Sequence, residues 1–230
     1  MRLKYVIIVI LMLVSGIFYY QITGDVIKET NGGFVSRVID GDTLVLANGQ
    51  KLRLLGINTP EKSMSFSLEA TKFVRELVEN KSVDIESHGL DKYGRTLAYV
   101  FSDDKNINKI ILQEGLATLY YYGKDKYYDN LKGAEEFARL NKKGLWKKSP
   151  NENCLEIVEF KTDEPEKLVL ENSCDFNLDI LFKDDATHIY RATVGANSVF
   201  EKEFSHIWNT DGDSIYVYDS EGLLIFYRYD

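Results

Sequence analysis

Short apolar stretches with alternating polar positions predict β-strands through the middle of the chain. Five stretches have this character: residues 34–39, 43–47, 50–57, 83–87 and 96–101. Asn48-Gly49 separates the second from the third and predicts a hairpin, because both residues tolerate positive φ. Apolar residues recur at helical spacing in three further segments, residues 67–80, 108–114 and 127–143. Five strands with interspersed helices predict a small barrel carrying helices.

The last third of the chain has a different pattern, with β-rich stretches and no amphipathic helix. Its seven stretches are residues 155–160, 167–171, 178–182, 189–194, 198–204, 214–219 and 223–229. Short strands separated by turns predict an all-β sandwich. Residues 147–151, Lys-Lys-Ser-Pro-Asn, have linker composition and mark the boundary between the two parts.

The N-terminus carries the pattern of a targeting segment. Arg2 and Lys4 precede an uncharged, largely apolar stretch at residues 6–20. A spanning helix needs about 20 apolar residues, a length reached here only with residues 21–24. The pattern predicts a signal peptide or an uncleaved membrane anchor, the anchor slightly favoured because no A-x-A cleavage signal is visible. A buried core helix is disfavoured because the stretch has no polar face. Positive charge before the stretch predicts an external C-terminus.

Composition and charge narrow the classes of protein that fit. A hydrophobic content of 44% supports packed cores and argues against a disordered chain. The net charge of -8 is uneven: residues 31–150 hold 19 basic and 16 acidic residues, whereas residues 151–230 hold 6 and 18. We therefore expect the middle to meet a polyanion and the acidic end to repel one. In an exported protein Cys154 and Cys174 could pair.

Three short blocks in the middle of the chain concentrate chemically useful side chains. Residues 39–43 read Ile-Asp-Gly-Asp-Thr, residues 52–61 read Leu-Arg-Leu-Leu-Gly-Ile-Asn-Thr-Pro-Glu, and residues 91–95 read Asp-Lys-Tyr-Gly-Arg. Carboxylate and amide oxygens can hold a hard cation, arginines match phosphate oxygens, and a free carboxylate can take a proton from water. Each block alone has a simpler explanation, such as a turn, a surface charge or a helix start. Together they are what phosphodiester hydrolysis requires.

Residues 34–148 resemble a staphylococcal-nuclease-like, or thermonuclease, domain. The three blocks occur in that family's order, with Gly-Leu-Trp at residues 144–146 near its end. The resemblance implies an OB-fold, a five-stranded β-barrel with three α-helices, and calcium-dependent cleavage of DNA and RNA. Asp42 of the first block is expected to face Asn58 of the second block across one sheet.

The resemblance also implies roles for individual residues. Arg53 and Arg95 would clamp the scissile phosphate, and Glu61 would orient or deprotonate the attacking water. The Ca²⁺ site would comprise the side chains of Asp42 and Asn58, the backbone carbonyl of Thr59, and Asp40 just outside the ligands. Substrate contacts would come from Lys92, Tyr120, Tyr121, Tyr122 and Lys124, although the tyrosines could equally be packing residues.

Asn58 departs from the family pattern, which has an aspartate at this position. An amide oxygen still binds calcium, but one negative charge is lost, so we expect a lower calcium affinity.

The acidic end resembles a lamin-tail-type domain, an immunoglobulin-like sandwich, through its strand number and residues 208–219. It offers no catalytic group. His188 and His206 lack metal-ligand spacing, and we expect Asp211 and Asp213 to shape a turn. A protein or surface partner is the expected ligand of this domain.

These observations predict five segments. They are a signal peptide or anchor (1–24), a linker (25–33), the nuclease-like domain (34–148), a second linker (149–153) and the β-sandwich (154–230). The expected activity is a calcium-dependent nuclease that acts on DNA and RNA outside the cytoplasm, secreted or held at the membrane by its N-terminus. The alternatives are an inactive nucleic-acid or protein-binding module and a surface adhesion protein. The presence of Arg53, Glu61 and Arg95 together favours the enzyme.

Overall fold

The computed structural model of the chain describes residues 32–121 and 123–229. The predicted signal peptide or anchor, most of the first predicted linker, and Tyr122 lie outside these residues. Within the described part of the chain, none of the helices combines the length and the apolar character needed to cross a membrane.

The first domain is a closed five-stranded barrel with three helices, as the sequence predicted, and it fits an OB-fold. Its barrel strands are β1 (Gly33–Asp40), β2 (Thr43–Leu46), β3 (Lys51–Leu54), β5 (Ser82–Leu90) and β6 (Thr96–Ser102). Antiparallel pairing follows the order β3-β2-β1-β5-β6, and parallel pairing of β3 with β6 closes the barrel. Alternating apolar residues of these strands, such as Leu44, Leu52 and Ala98, fill its interior.

The remaining elements of this domain surround the barrel. The helices are α1 (Ser67–Val78), α2 (Ile107–Gln113) and α3 (Tyr128–Leu140), followed by a 3-10 turn at Gly144–Trp146. The short strands are β4 (Ile57–Asn58), β7 (Lys105–Asn106) and β8 (Thr118–Leu119). Each helix buries its apolar face, which explains the spacing seen in the sequence.

The predicted continuous strand at residues 50–57 is wrong, because the chain turns between β3 and β4. Gly56 has φ of +78°, and a Cβ atom there would lie 2.7 Å from Leu131 Cδ1. Only glycine fits both restrictions. Asn58 consequently lies in a separate two-stranded sheet of β4 and β8, and Asp42 lies in the turn before β2. The expectation that Asp42 and Asn58 face each other across one sheet is therefore wrong.

The second domain is all β, as predicted. Its strands are β9 (Leu155–Lys161), β10 (Glu166–Asn172), β11 (Leu178–Lys183), β12 (Ile189–Val194), β13 (Ser198–Phe204), β14 (Asp213–Tyr218) and β15 (Leu223–Tyr229). They form a three-stranded sheet, β13-β10-β9, and a four-stranded sheet, β12-β11-β14-β15. Both sheets contribute to one core that includes Leu168 and Phe182. A disulfide joins Cys154 to Cys174.

The two domains share an apolar contact. Ala138 and Trp146 of the first domain pack with Tyr216 and Leu223 of the second, and all four are buried. The segment between the domains is also packed: Ser149 is buried and donates a 2.6 Å hydrogen bond to Asp219. The segment predicted as a linker, residues 149–153, is thus packed against the second domain at Ser149.

A buried ion pair crosses the same interface. Glu135 of α3 accepts a 2.6 Å hydrogen bond from the Leu119 backbone N–H and pairs at 2.5 Å with Arg228 of β15. Arg228 also donates to the Tyr216 hydroxyl oxygen at 3.0 Å. The carboxylate and the guanidinium thus satisfy each other where both are removed from water.

Candidate active site

The first block forms the turn between β1 and β2 and places two carboxylates side by side. Gly41 passes so close to Thr59 and Ala70 that a Cβ atom there would lie within 2.8 Å and 2.9 Å of them. Asp40 accepts a hydrogen bond from the Asp42 backbone N–H at 3.1 Å. Asp42 accepts from the Thr59 backbone N–H at 3.0 Å and from its hydroxyl at 2.9 Å. The turn is thereby held against the end of the second block.

Arg53 joins these groups from β3. Its Nε lies 3.2 Å from Asp42 Oδ1, and its Nη2 donates to Asn58 Oδ1 at 3.0 Å. A further hydrogen bond of 2.8 Å reaches the carbonyl oxygen of Ile57. Asp42, Ile57 and Asn58 therefore hold the guanidinium in one orientation, and the side chain is buried.

Arg95 brings the third block to the same place. Its Nε donates to Asp91 Oδ2 at 2.7 Å, and its Nη1 donates to the Thr43 hydroxyl at 3.2 Å. Slight burial opposes the charge of Asp91, but hydrogen bonds from Arg95 and from the Tyr93 backbone lower the pKa of its carboxyl. Two arginines, from β3 and from the start of β6, thus converge on the residue pair Asp42-Thr43.

A cleft of about 1200 Å³ runs past these groups. Glu61 lines it with an exposed carboxylate that has no hydrogen-bond partner among the described residues. Lys92, Lys124 and Tyr120 also line the cleft. The structure therefore brings the predicted catalytic, metal and substrate residues that it describes to one concave surface.

Tyr121 is held in place by hydrogen bonds of its hydroxyl and by contact of its ring with Tyr128. Its hydroxyl lies 2.7 Å from that of Tyr99, which in turn donates to Asp125 at 2.9 Å. Its ring meets Tyr128 edge to face at 5.1 Å between centroids. Burial, followed by the hydrogen bond with Asp125, raises the pKa of Tyr121 to about 12. The phenol therefore stays protonated near neutral pH and acts as a hydrogen-bonding group.

Tyr93 is a further functional candidate, which the sequence did not lead us to predict. Its side chain is 71% exposed and lines the cleft. Lys92 Nζ and Arg95 Cζ lie 5.1 Å and 5.5 Å from the centre of its ring. An exposed aromatic ring between two cations suits stacking against a base. Its position between Lys92 and Arg95 in the third block was the available signal.

The second domain also reaches this cleft, which the charge distribution did not predict. Asn58 Nδ2 donates hydrogen bonds to the carbonyl oxygens of Asp185 at 3.1 Å and Ala186 at 2.8 Å. Ala186 and Thr187 line the cleft. The cleft lining therefore extends beyond the basic middle of the chain, because sequence-distant segments meet here. Nothing in the local sequence of residues 184–188 signals this role.

The oxygen groups near the turn suit a hard cation. Burial raises the pKa of Asp40, and the neighbouring charge of Asp42 raises it further. A bound cation would stabilise both carboxylates in their charged form. Among the described residues no three His, Cys, Asp or Glu side chains cluster as metal ligands. Asp42, Asn58 and the Thr59 carbonyl offer oxygen atoms of the kind that hard cations prefer, and in this structure Arg53 contacts the side-chain oxygens of both Asp42 and Asn58.

Comparison with known proteins shows similarity to nucleases. Residues 51–148 match the model of the family described as staphylococcal nuclease homologue. An uncharacterized endonuclease of Haemophilus influenzae is 35% identical over 141 residues, covering 59% of this chain and 78% of the relative. The thermonuclease of Staphylococcus hyicus is 35% identical over 124 residues, 49% of this chain and 73% of the relative. Endonuclease YncB of Bacillus subtilis is 36% identical over 129 residues, 50% of this chain and 61% of the relative.

Proposed function

The chain belongs to the staphylococcal nuclease family and is a phosphodiester-hydrolysing nuclease, and we propose that it cleaves DNA and RNA in a calcium-dependent reaction outside the cytoplasm. One observation carries this proposal: Arg53, Glu61 and Arg95 line the same cleft as the paired carboxylates Asp40 and Asp42.

The two arginines supply the positive charge that phosphodiester hydrolysis needs. Both are oriented by hydrogen bonds to fixed oxygens, Arg53 by Ile57 and Asn58 and Arg95 by Asp91. A guanidinium that is already oriented loses little freedom when a phosphate arrives. As water attacks phosphorus, negative charge grows on the phosphoryl oxygens, and the guanidinium groups stabilise it.

Glu61 is the group that can handle the proton of the attacking water. Its carboxylate is exposed in the cleft, so it can accept a hydrogen bond from a water molecule placed beside the phosphate. A carboxylate in that position orients the water and takes up its proton.

Asp42, Asn58 and the Thr59 carbonyl would hold the calcium ion, with Asp40 just outside the ligands. When bound, the ion would supply Lewis-acid polarisation of a phosphoryl oxygen. The proposal of calcium in particular rests on the all-oxygen donor set, which hard cations prefer.

Nucleic acid is the proposed substrate because cations and aromatic rings line the cleft together. Lys92 and Lys124 can neutralise backbone phosphates, and Tyr93 and Tyr120 present rings toward the cleft. Stacking of one base on an aromatic side chain contributes about 1–3 kcal/mol. Both groups act on DNA and RNA alike, because neither distinguishes the sugar.

Separate observations support the proposed location of the protein and the proposed fold type of its second domain. The Cys154–Cys174 disulfide suits an oxidising compartment, and the targeting pattern at the N-terminus suits export, with attachment to the membrane if it is uncleaved. Pairing of β9-β10-β13 and of β12-β11-β14-β15 supports an immunoglobulin-like arrangement of the lamin-tail type. A protein or surface partner is its proposed ligand.

A second candidate function is a catalytically weak or inactive binding module. Asn58 favours it, because the amide carries no charge for a metal ion and both its hydrogens are directed at the second domain.

The test is a cleavage assay with the full chain. We expect single-stranded DNA and RNA to be cut with calcium and left intact with a chelator. Arg95→Ala and Glu61→Gln should each lower kcat/KM by at least about 100-fold, since each removes a group that acts on the reacting atoms. Glu69→Gln, on the exposed face of α1, is the matched control and should retain wild-type activity. Cleavage that persists in chelator, or that neither active-site change reduces, would contradict the proposal.

A further inference from the structure

The loop between β11 and β12, residues Asp184–His188, is the one described part of the second domain that enters the cleft lining. Its backbone is held to the first domain by the two hydrogen bonds from Asn58. A carboxylate at position 58 could not donate them. The residue that departs from the family pattern is thus the residue that contacts the second domain.

The loop is also fixed from its own side. Asp185 accepts a 2.6 Å hydrogen bond from the Tyr216 hydroxyl and a 3.1 Å hydrogen bond from Ser214, and its backbone N–H donates to Asp213 at 3.0 Å. Tyr216 belongs to the buried contact between the domains. The position of the loop therefore follows from the interdomain packing and does not depend on Asn58 alone.

The acidic side chains of the loop are bonded to groups of their own domain. Asp184 pairs with His188 at 2.7 Å, and Asp185 lies 3.6 Å from Arg228. The residues that line the cleft are Ala186 and Thr187, which carry no charge. This arrangement keeps the carboxylates of the loop out of the cleft lining, which lowers the repulsion that the acidic domain exerts on a polyanion there.

We propose that the loop Asp184–His188 forms one wall of the nucleic-acid cleft and restricts it to single, flexible strands. Tyr93 of the first domain lines the same cleft, so a single strand stacked on its ring would share the cleft with this wall. A duplex is stiff, with a persistence length of about 150 base pairs, and cannot bend around a fixed domain beside the reacting phosphate at little cost. The inference rests on the proposed function in taking nucleic acid as the ligand.

The first test probes contact by charge. Thr187 is exposed in the wall, and Thr210 is an exposed threonine of the same domain outside the cleft lining. Binding of a fluorescent single-stranded DNA oligonucleotide to the full chain is measured by anisotropy in chelator. Thr187→Glu should weaken binding by about tenfold and Thr187→Lys should strengthen it about threefold, because a charge in the wall meets backbone phosphates directly.

Thr210→Glu and Thr210→Lys carry the same changes in net charge. They should alter the dissociation constant less than about twofold, because Thr210 does not line the cleft and a charge there makes no direct contact with backbone phosphates. Equal effects at positions 187 and 210, or no effect at 187, would overturn the proposal.

The second test probes selectivity. The double variant Ala186→Gly/Thr187→Gly removes the wall side chains and keeps both anchored aspartates. It should raise duplex affinity by about threefold or more while single-strand affinity changes less than about twofold. An unchanged ratio of duplex to single-strand affinity would overturn the restriction. Since neither test requires calcium or turnover, a chain that fails the cleavage assay but passes these tests retains the wall and loses only the proposed catalysis.

Discussion

Asn58 combines contacts that an aspartate in its place could not. Its oxygen accepts from Arg53, while its nitrogen donates to the carbonyl oxygens of Asp185 and Ala186. A carboxylate would keep the first contact, strengthened by charge, and would face two carbonyl oxygens with no hydrogen to give. It would also add a third negative charge near Asp40 and Asp42. The amide therefore contacts the second domain but lacks the negative charge that an aspartate would bring to the proposed metal site.

We expect Asn58→Asp to lower the free energy of unfolding by about 1–2 kcal/mol in chelator, because two hydrogen bonds are lost and two acceptors are left unpaired. Calcium should raise the melting temperature of Asn58→Asp more than that of the wild type, since a carboxylate is the better calcium ligand. Scanning calorimetry with and without calcium measures both effects.

Asn58→Ala is the control for this change. It should lose the same interdomain hydrogen bonds without any larger response to calcium. Wild-type stability of both variants in chelator would contradict the assigned contact.

Helix α2 shows how an element behind the cleft supports its geometry. Asn106 caps the helix by accepting from the Lys109 backbone N–H at 3.0 Å. Asn108, fully buried, donates to the carbonyl oxygens of Leu55 and Ala98 at 2.8 Å and 3.1 Å and accepts from the Val100 N–H at 3.1 Å. Leu55 immediately precedes the Gly56 turn that places Asn58. The buried amide thus connects the helix, the barrel and the turn.

Asn108→Ala should lower the free energy of unfolding by about 3 kcal/mol, because the Leu55 carbonyl and the Val100 N–H lose their bond to this buried amide and the Ala98 carbonyl keeps only the Leu55 N–H. Asn141→Ala is the matched control: Asn141 is exposed and bonds only to Phe137 O within the described chain. It should cost less than about 0.5 kcal/mol. Urea denaturation compares the two, and similar losses in both would argue against the supporting role of Asn108.

The complete molecule is organised around the interdomain contact. Trp146 and Tyr216 supply apolar area, while Glu135 and Arg228 form an ion pair at its edge. Their side chains are 4% and 20% exposed, so neither charge is well solvated alone. The same contact carries the loop Asp184–His188 to the cleft. Interdomain packing and the shape of the active site are therefore coupled.

Arg228→Met should destabilise the chain by about 3–5 kcal/mol, because Glu135 would be left as an unpaired buried charge. We also expect the two domains to unfold in separate transitions, since their strongest polar contact is lost. Arg191→Met, at an exposed arginine that makes one long hydrogen bond of 3.4 Å to Ser63 O, is the control and should unfold like the wild type. Calorimetry distinguishes the outcomes, and a wild-type profile for Arg228→Met would refute the coupling.

Much of the fold could be predicted because it follows from local periodicity. The five barrel strands, the three helices and the seven strands of the second domain each carry their own apolar pattern, and the structure has all of them. The break at Gly56 escaped prediction because an apolar stretch such as 52–57 reads as one strand until Leu131 and Tyr121 are known to pack beside it.

The residues of the candidate site also include some that the sequence predicts and some that it does not. Asp42, Arg53, Glu61 and Arg95 could be predicted because their blocks are short and chemically distinctive, and backbone turns set their spacing. The role of Tyr93 was within reach of the same argument. Ala186 and Thr187 were not, because an alanine and a threonine in an acidic segment carry no chemical signal of their own.

Sequence alone thus predicts most of the elements and many of the side chains that can do chemistry, since propensity, periodicity and functional groups are local properties. The three-dimensional packing settles which distant segments meet. Asn58 lies more than a hundred residues from Asp185 and Ala186 along the chain, and the interdomain contact, which includes the burial of Trp146 against Tyr216, brings these segments together. The shape of the cleft depends on that contact, because burial of apolar area is non-directional and leaves no pattern in either segment taken by itself.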